Sequence, residues 1–160
     1  MVKFESILAG GQTGAQRAAL DWAIAHNVPH GGWCPKGRKA LDGVLDAKYQ
    51  LKETEKDVTL ERTEWNVRDA DATVVFTFAE KATGGALKSV TFARKLKKPC
   101  LHLHRGILAG SEKLVAFMDK HRVRRLNIAG SQEEKEPGIY VWVTSTLDKA
   151  EGIMMRMGEL

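Results

Sequence analysis

Residues 4–26 read FESILAGGQTGAQRAALDWAIAH, and this stretch decides the fold. Phe4–Ala9 is short, apolar and runs into two glycines, which predicts a strand. Gly14–His26 follows with Ala15, Ala18, Ala19, Trp22 and Ala23 on one face of a 3.6-residue period, which predicts a helix. A strand that turns through glycines directly into a helix opens a βαβ unit, whose second strand runs parallel to the first.

Working outward, the same alternation recurs. Val28–His30 is a short extended piece, and Trp33–Ala47, with Pro35, Gly37 and Gly43, reads as a loop. Asp57–Ala70 is predicted helical with Asp57 as its cap. Ala72–Phe78 (ATVVFTF) is the clearest buried strand. A helix over Gly85–Leu96 stops before Pro99, and Cys100–His104 is a strand. Ser111 is expected to cap a helix to His121, and Arg125–Ala129 is a strand. In the last segment two signals conflict. Tyr140–Thr146 is β-branched and favours a strand. Ile139, Val143, Leu147, Ala150, Met154 and Met157 instead mark one helical face, with Pro137 at its start. The period favours the helix. The fold expected is α/β: one doubly wound, mainly parallel, Rossmann-like sheet with helices on both faces, a single domain over residues 1–160.

Composition agrees with this class. Of 160 residues, 43% are hydrophobic and 28% charged, which excludes wholesale disorder. No apolar run approaches the ~20 residues of a membrane span, and no leader-type apolar segment precedes the first strand. Cys34 and Cys100 lack the spacing of a disulfide framework or a zinc site. The expected setting is a reducing cytoplasm, with no membrane partner. The net charge of +5 is uneven: residues 94–125 hold ten Lys and Arg against two acids. Ligands of such sheets bind beyond the carboxyl ends of the strands. Lys95, Lys97, Lys98, Arg122, Arg124 and Arg125 fall at the opposite edge, where cations complement helix C-termini. Without an aromatic stacking platform, no nucleic-acid partner is expected.

The ligand edge receives Gly10-Gly11-Gln12-Thr13-Gly14. Glycines there let a backbone approach an anion, and free N–H groups with the helix dipole attract it. Thr13 adds a hydroxyl, and Arg17 lies one turn on. The alternative is a tight turn without ligand. Thr83-Gly84-Gly85 repeats the device, and Gly130 ends a third strand at the same edge. In the Trp33–Arg38 segment, Trp33 could stack on a planar ring and Lys36 and Arg38 could meet an anion; a plain covering loop is the competing reading. Arg62 and Asn66 share a helix face, and Asn66, between Trp65 and Val67, is expected inward. Cys34 reads as an idle thiol, and His102 and His104 as hydrogen-bonded histidines lacking a third metal ligand. No catalytic or metal-binding set is expected.

The strings GGQTGAQRAALDWA (10–23), HGGWCPKGR (30–38), RTEWNVRDAD (62–71), TGGA (83–86), KKPC (97–100), LNIAG (126–130) and EPGIY (136–140) resemble the molybdenum cofactor carrier family. That family belongs to a wider Rossmann-like group with the LOG-type nucleotide phosphoribohydrolases. The resemblance implies a nucleotide-binding-like fold and a phosphorylated pterin, the molybdenum cofactor (molybdopterin), as cargo. By motif, Gly10–Gly14 match its first phosphate loop, and Gly84 and Gly85 its second. Family members tend to have Val-Asp after GGQTG, where this chain has Ala15-Gln16, and Thr after the second glycine pair, where it has Ala86. The hydrolases carry P-G-G-x-G-T-x-x-E, whose Glu takes part in catalysis. The third glycine, the Thr and the Glu are absent from Thr83–Val90.

The resemblance therefore favours a binder over an enzyme. Three functions remain open: a cofactor carrier, a sensor of a nucleotide or nucleotide-sugar, and a nucleotide N-glycosidase. A phosphorylated small molecule is the expected partner. A homo-oligomer and a recipient molybdoenzyme are further expectations.

Overall fold

The structure is a computed structural model that describes residues 1–159. In chain order the elements of the main sheet are β1 (Ser6–Leu8), α1 (Ala15–Ala25), β2 (His30–Gly31), α2 (Thr59–Asp69), β7 (Ala72–Phe76), α3 (Gly84–Lys95), β8 (Cys100–Leu103), α4 (Gly110–Lys120), β9 (Arg125–Gly130) and α5 (Ile139–Gly158). Between β2 and α2 lie four two-residue strands, β3 (Trp33–Cys34), β4 (Lys39–Ala40), β5 (Gly43–Val44) and β6 (Lys52–Glu53). The main sheet has the order β2-β1-β9-β7-β8, and every pairing is parallel. The expected α/β, Rossmann-like class is thus observed.

Strand β7 is buried along its whole length, as expected of an interior strand covered on both faces. Its side chains alternate between two unequal cores. Ala72, Val74 and Phe76 join the large one, with Ile7, Leu20, Leu126, Ile128, Ile139 and Leu147. Val75 faces the small one, with Ala86 and Ala129. Helices α1, α4 and α5 cover the first face, packing α1 on α5 and α4 on α5. Helices α2 and α3 pack together on the second. In that second layer small and polar groups replace bulky ones: Asn127 Nδ2 donates to Thr73 Oγ1 at 3.2 Å, and both are buried.

The last helix forms because its face is buried. Ile139, Val143, Leu147, Ala150 and Met154 all lie inside, and tertiary burial outweighs the β propensity of Tyr140–Thr146. Met157 is 40% exposed and lies outside that core. Pro137 precedes the helix, which starts after Gly138 in a left-handed conformation (φ 96°). Two expected caps are corrected. Asp57 does not cap α2, which begins after extended Val58; its carboxylate takes Lys39 Nζ at 3.1 Å instead. Ser111 does not cap α4: Ala109 stands at the cap, and the Ser111 hydroxyl donates to the Thr146 carbonyl at 3.1 Å, tying α4 to α5. The segment expected as a loop over 33–47 is also more ordered. β3 pairs with β6 in parallel, and β4 with β5 antiparallel.

Candidate functional site

The chain after β9 leads to α5 on the first face of the sheet, and the chain after β7 leads to α3 on the second. These two strands are neighbours, so their connections part to opposite faces. An open α/β sheet leaves its ligand crevice at such a point. A cavity of about 350 Å³ lies there. Its walls are the start of α1, the start of α2, the β7–α3 loop and the Gly130–Glu136 loop. That volume falls within the range of small-molecule sites.

Of the residues expected in a site, Gln12, Thr83, Gly85 and Gly130 line this cavity. Gly84 stands at its rim, where a Cβ built on it would lie 3.1 Å from Lys135 Nζ. Gly10 flanks the cavity through its carbonyl, which accepts from Arg62 Nη1 at 3.0 Å. The remaining residues of the first glycine loop serve the fold. A Cβ on Gly11 would lie 2.7 Å from Leu45 Cδ1, so a roof over residues 38–51 closes down on the loop. Gly14 approaches the Ser131–Glu133 backbone, and the Ala15 amide donates to the Ser131 carbonyl at 3.1 Å. The Gln12 and Thr13 amides donate to Gln16 Oε1 and Gln12 Oε1. The Thr13 hydroxyl donates to the Glu134 carboxylate at 2.5 Å. The start of α1 is therefore filled by the protein's own acceptors.

The other expected residues lie apart from the cavity. Arg17 forms a paired hydrogen bond with Asp42 at 2.8 and 2.9 Å and donates to the Gly11 carbonyl. Trp33 is held by Asp69, which accepts its indole N–H at 2.7 Å, and it meets the Trp65 ring edge-on. Asn66 is buried as expected, but it faces the Trp33 backbone: it accepts that N–H at 2.8 Å and donates to that carbonyl at 2.9 Å. Arg38 donates to the carbonyls of Asp46, Tyr49 and Leu51, fastening the roof. Lys36 is exposed. The segment 33–38 thus shapes the wall beside α2 rather than the cavity. His102 Nε2 meets the Thr77 hydroxyl at 2.6 Å, and His104 Nδ1 accepts from Gly106 N–H. Burial, reinforced by His104, pushes His102 below its usual pKa. Among the described residues no cluster of three or more metal-ligating side chains occurs.

What the sequence reading left out is the charge of the cavity. Arg62, Lys81, Lys88 and Lys135 all line it, and among the described residues none of them is in an ion pair. Arg62 is only 6% exposed. Its guanidinium reaches neutral oxygens alone: the Gly10 carbonyl, Gln16 Oε1 at 3.0 Å and the Thr59 carbonyl at 3.5 Å. Burial brings its pKa down to about 10, so it stays charged at neutral pH. A buried cation without a counter-charge is costly unless something neutralises it. Glycines at 84 and 85 open helix α3, whose cap Thr83 makes no side-chain hydrogen bond to it. A Cβ at Gly85 would meet nothing within 4 Å, so space stands open there.

One carboxylate, Glu136, also lines the cavity. It accepts the Phe78 and Ala79 amides at 2.8 and 3.0 Å and the Ser131 hydroxyl, joining the β7 and β9 loops. Burial acts to raise its pKa, but these three donors, together with the charge of Arg105, outweigh it, so Glu136 titrates below the ordinary glutamate range. The folded state therefore binds this proton less tightly than the unfolded state. The stabilisation is complete above about pH 4.3 and is lost as pH falls through the folded value. Glu136→Gln is expected to flatten the acid limb of the stability curve, read by urea unfolding between about pH 3 and 7. An unchanged acid limb would count against this clamp.

Two comparisons place the chain among known proteins. The sequence model of the circularly permutated YpsA SLOG family matches residues 7–150. The chain belongs to that family. A crystal structure of "Putative molybdenum carrier protein" from Syntrophus aciditrophicus SB is similar to it, with a TM-score of 0.86 and 39% identity. The match covers 92% of this chain and 94% of that one. No curated protein matches significantly. The SLOG family assignment and this neighbour agree with the resemblance carried by the glycine loops and the RTEWNVRDAD helix. Among the described residues no helix is long and apolar enough to cross a membrane.

Proposed function

We propose that this protein is a carrier that binds a phosphorylated small molecule, with the molybdenum cofactor as its cargo. The observation that carries the reading is buried, charged Arg62, which lines an open cavity and has no ion-pair partner among the described residues. Lys81, Lys88 and Lys135 surround the same space, and the glycine start of α3 leaves backbone donors and a helix dipole facing it. The name of the similar crystal structure supplies the cargo class. Among the described residues no aromatic ring lines the cavity, so it suits the phosphorylated end of a ligand, with half-exposed Leu60 as an apolar contact. The setting of this reading is the cytoplasm, with a molybdoenzyme as recipient.

Native mass spectrometry of protein purified from a molybdenum-replete host tests the cargo. A retained mass equal to the pterin cofactor supports the carrier. A retained nucleotide would replace it with the sensor reading. The N-glycosidase reading has one structural point in its favour, the Glu136 carboxylate in the cavity. Its oxygens are engaged by three donors, which suits a clamp better than a base. Incubation with nucleoside monophosphates is expected to release no free base above background. Release that disappears in Glu136→Gln would restore the hydrolase.

The basic edge is expected to stay outside ligand binding. Lys95 closes α3 and Arg125 opens β9, at the end of the sheet opposite the cavity. The Arg124 and Arg125 amides donate to Asp71 there, and Lys98 Nζ donates to the Ala70 carbonyl. Replacing Lys97 and Lys98 by Gln should leave small-anion affinity within about threefold at physiological salt, because screening removes distant charges. A tenfold loss by calorimetry would place those cations in the site.

A further inference from the structure

We infer that the cavity is built for two linked phosphoryl groups, as in a nucleoside diphosphate or another pyrophosphate ester, rather than for one. The inference rests on the carrier reading and narrows its cargo to a form that carries a pyrophosphate, which the pterin monophosphate alone does not. The cavity lining holds Arg62, Lys81, Lys88 and Lys135 against the single carboxylate of Glu136, an excess of three positive charges. One phosphate monoester brings ≈ −1.5 to −2, which leaves part of that excess bare.

The charges also fall into two groups on different elements. Lys135 Nζ stands beside Gly84 at the start of α3, and Lys81 and Lys88 come from the loop before that helix and from its second turn. Arg62 belongs to α2 and is anchored on the other side, at the Gly10 carbonyl and Gln16 Oε1 from the start of α1. A phosphoryl group seated on α3 answers the lysines and the helix dipole and leaves Arg62 buried and uncompensated. A second phosphoryl group, joined to the first, reaches it within the same cavity. A guanidinium fork suits that role, because it binds two phosphate oxygens at once. Gln16 sets the balance: its neutral amide oxygen accepts from Arg62 without cancelling the charge.

Calorimetric titration with inorganic phosphate, pyrophosphate, AMP and ADP, without divalent cations, tests this. Pyrophosphate is expected to bind at least about tenfold tighter than phosphate, and ADP than AMP. Gln16→Asp hands Arg62 an internal counter-charge and should erase most of that preference, weakening pyrophosphate and ADP more than phosphate and AMP. Should Gln16→Asp fail to fold, Lys135→Gln offers a second reading, weakening all four probes together. Equal affinity for AMP and ADP, with both binding measurably, overturns the diphosphate inference and leaves the carrier standing. Binding of none of the four overturns both.

Discussion

Alanine at Gly14 is expected to lower the unfolding free energy by about 3–5 kcal/mol, most of the reserve of an ordinary domain. Gly14 has φ 82° and ψ −127°, a backbone region that L-residues scarcely enter. An added methyl would also overlap the Ser131 carbonyl oxygen and lie 2.6 Å from the Glu133 amide nitrogen. Both obstacles are backbone, so no side chain can swing away. The Ser131 carbonyl is moreover the acceptor for the first amide of α1, and pushing it off leaves that donor unpaired. Gly31→Ala is the contrast. Its methyl would meet only Leu8 Cδ2 at 3.7 Å, an ordinary contact, at a backbone angle open to alanine. That change is expected to shift stability by less than about 1 kcal/mol. Urea midpoints for the two variants, compared at equal slope, read the difference. Near-equal midpoints would show that the loops after β1 and β9 do not meet as described.

The sheet and its order of helices were legible because burial writes itself into spacing. Ile139, Val143, Leu147 and Ala150 keep a helical period against the β preference of their neighbours, and the period prevailed. Ala72–Phe76 reads as an interior strand because it has no polar face. Caps were less legible. Asp57 and Ser111 have suitable side chains, yet each finds a tertiary partner, Lys39 or Thr146, that local sequence does not reveal. The site was legible in its edge and not in its charges. Helical spacing put Arg62 and Asn66 on one face and marked Asn66 as inward, but only packing against Gly10 and Trp33 shows what the two meet, that Arg62 is buried and that it borders the cavity. Lys81 and Lys135 sit in loops whose course depends on contacts far along the chain, so no periodicity marks them. The first glycine loop looked open because Leu45 and Leu51, which roof it, lie more than thirty residues away.

Valine at Gly85 is expected to abolish anion binding, by about a hundredfold or more, while the fold stays intact. The two effects separate because of where Gly85 lies. A Cβ there meets nothing within 4 Å and no positive φ is imposed, so the folded chain accepts a side chain at that position. Valine in a helix's first turn is no worse than glycine by intrinsic preference. The space it fills, however, is the approach to the opening amides of α3. An anion bound by backbone N–H groups needs that close approach, which is why such loops are glycine-rich. Ala86 adds no hydroxyl to compensate, and the lysine ammonium groups are mobile point charges that cannot replace fixed amides. Pyrophosphate titration, paired with an unchanged urea midpoint, provides the measurement. Retained affinity within about threefold in a folded variant would remove α3 from the site. The cradle would then have to lie at the start of α1, with Gln12 and Gln16 releasing the amides and the guanidinium they now hold.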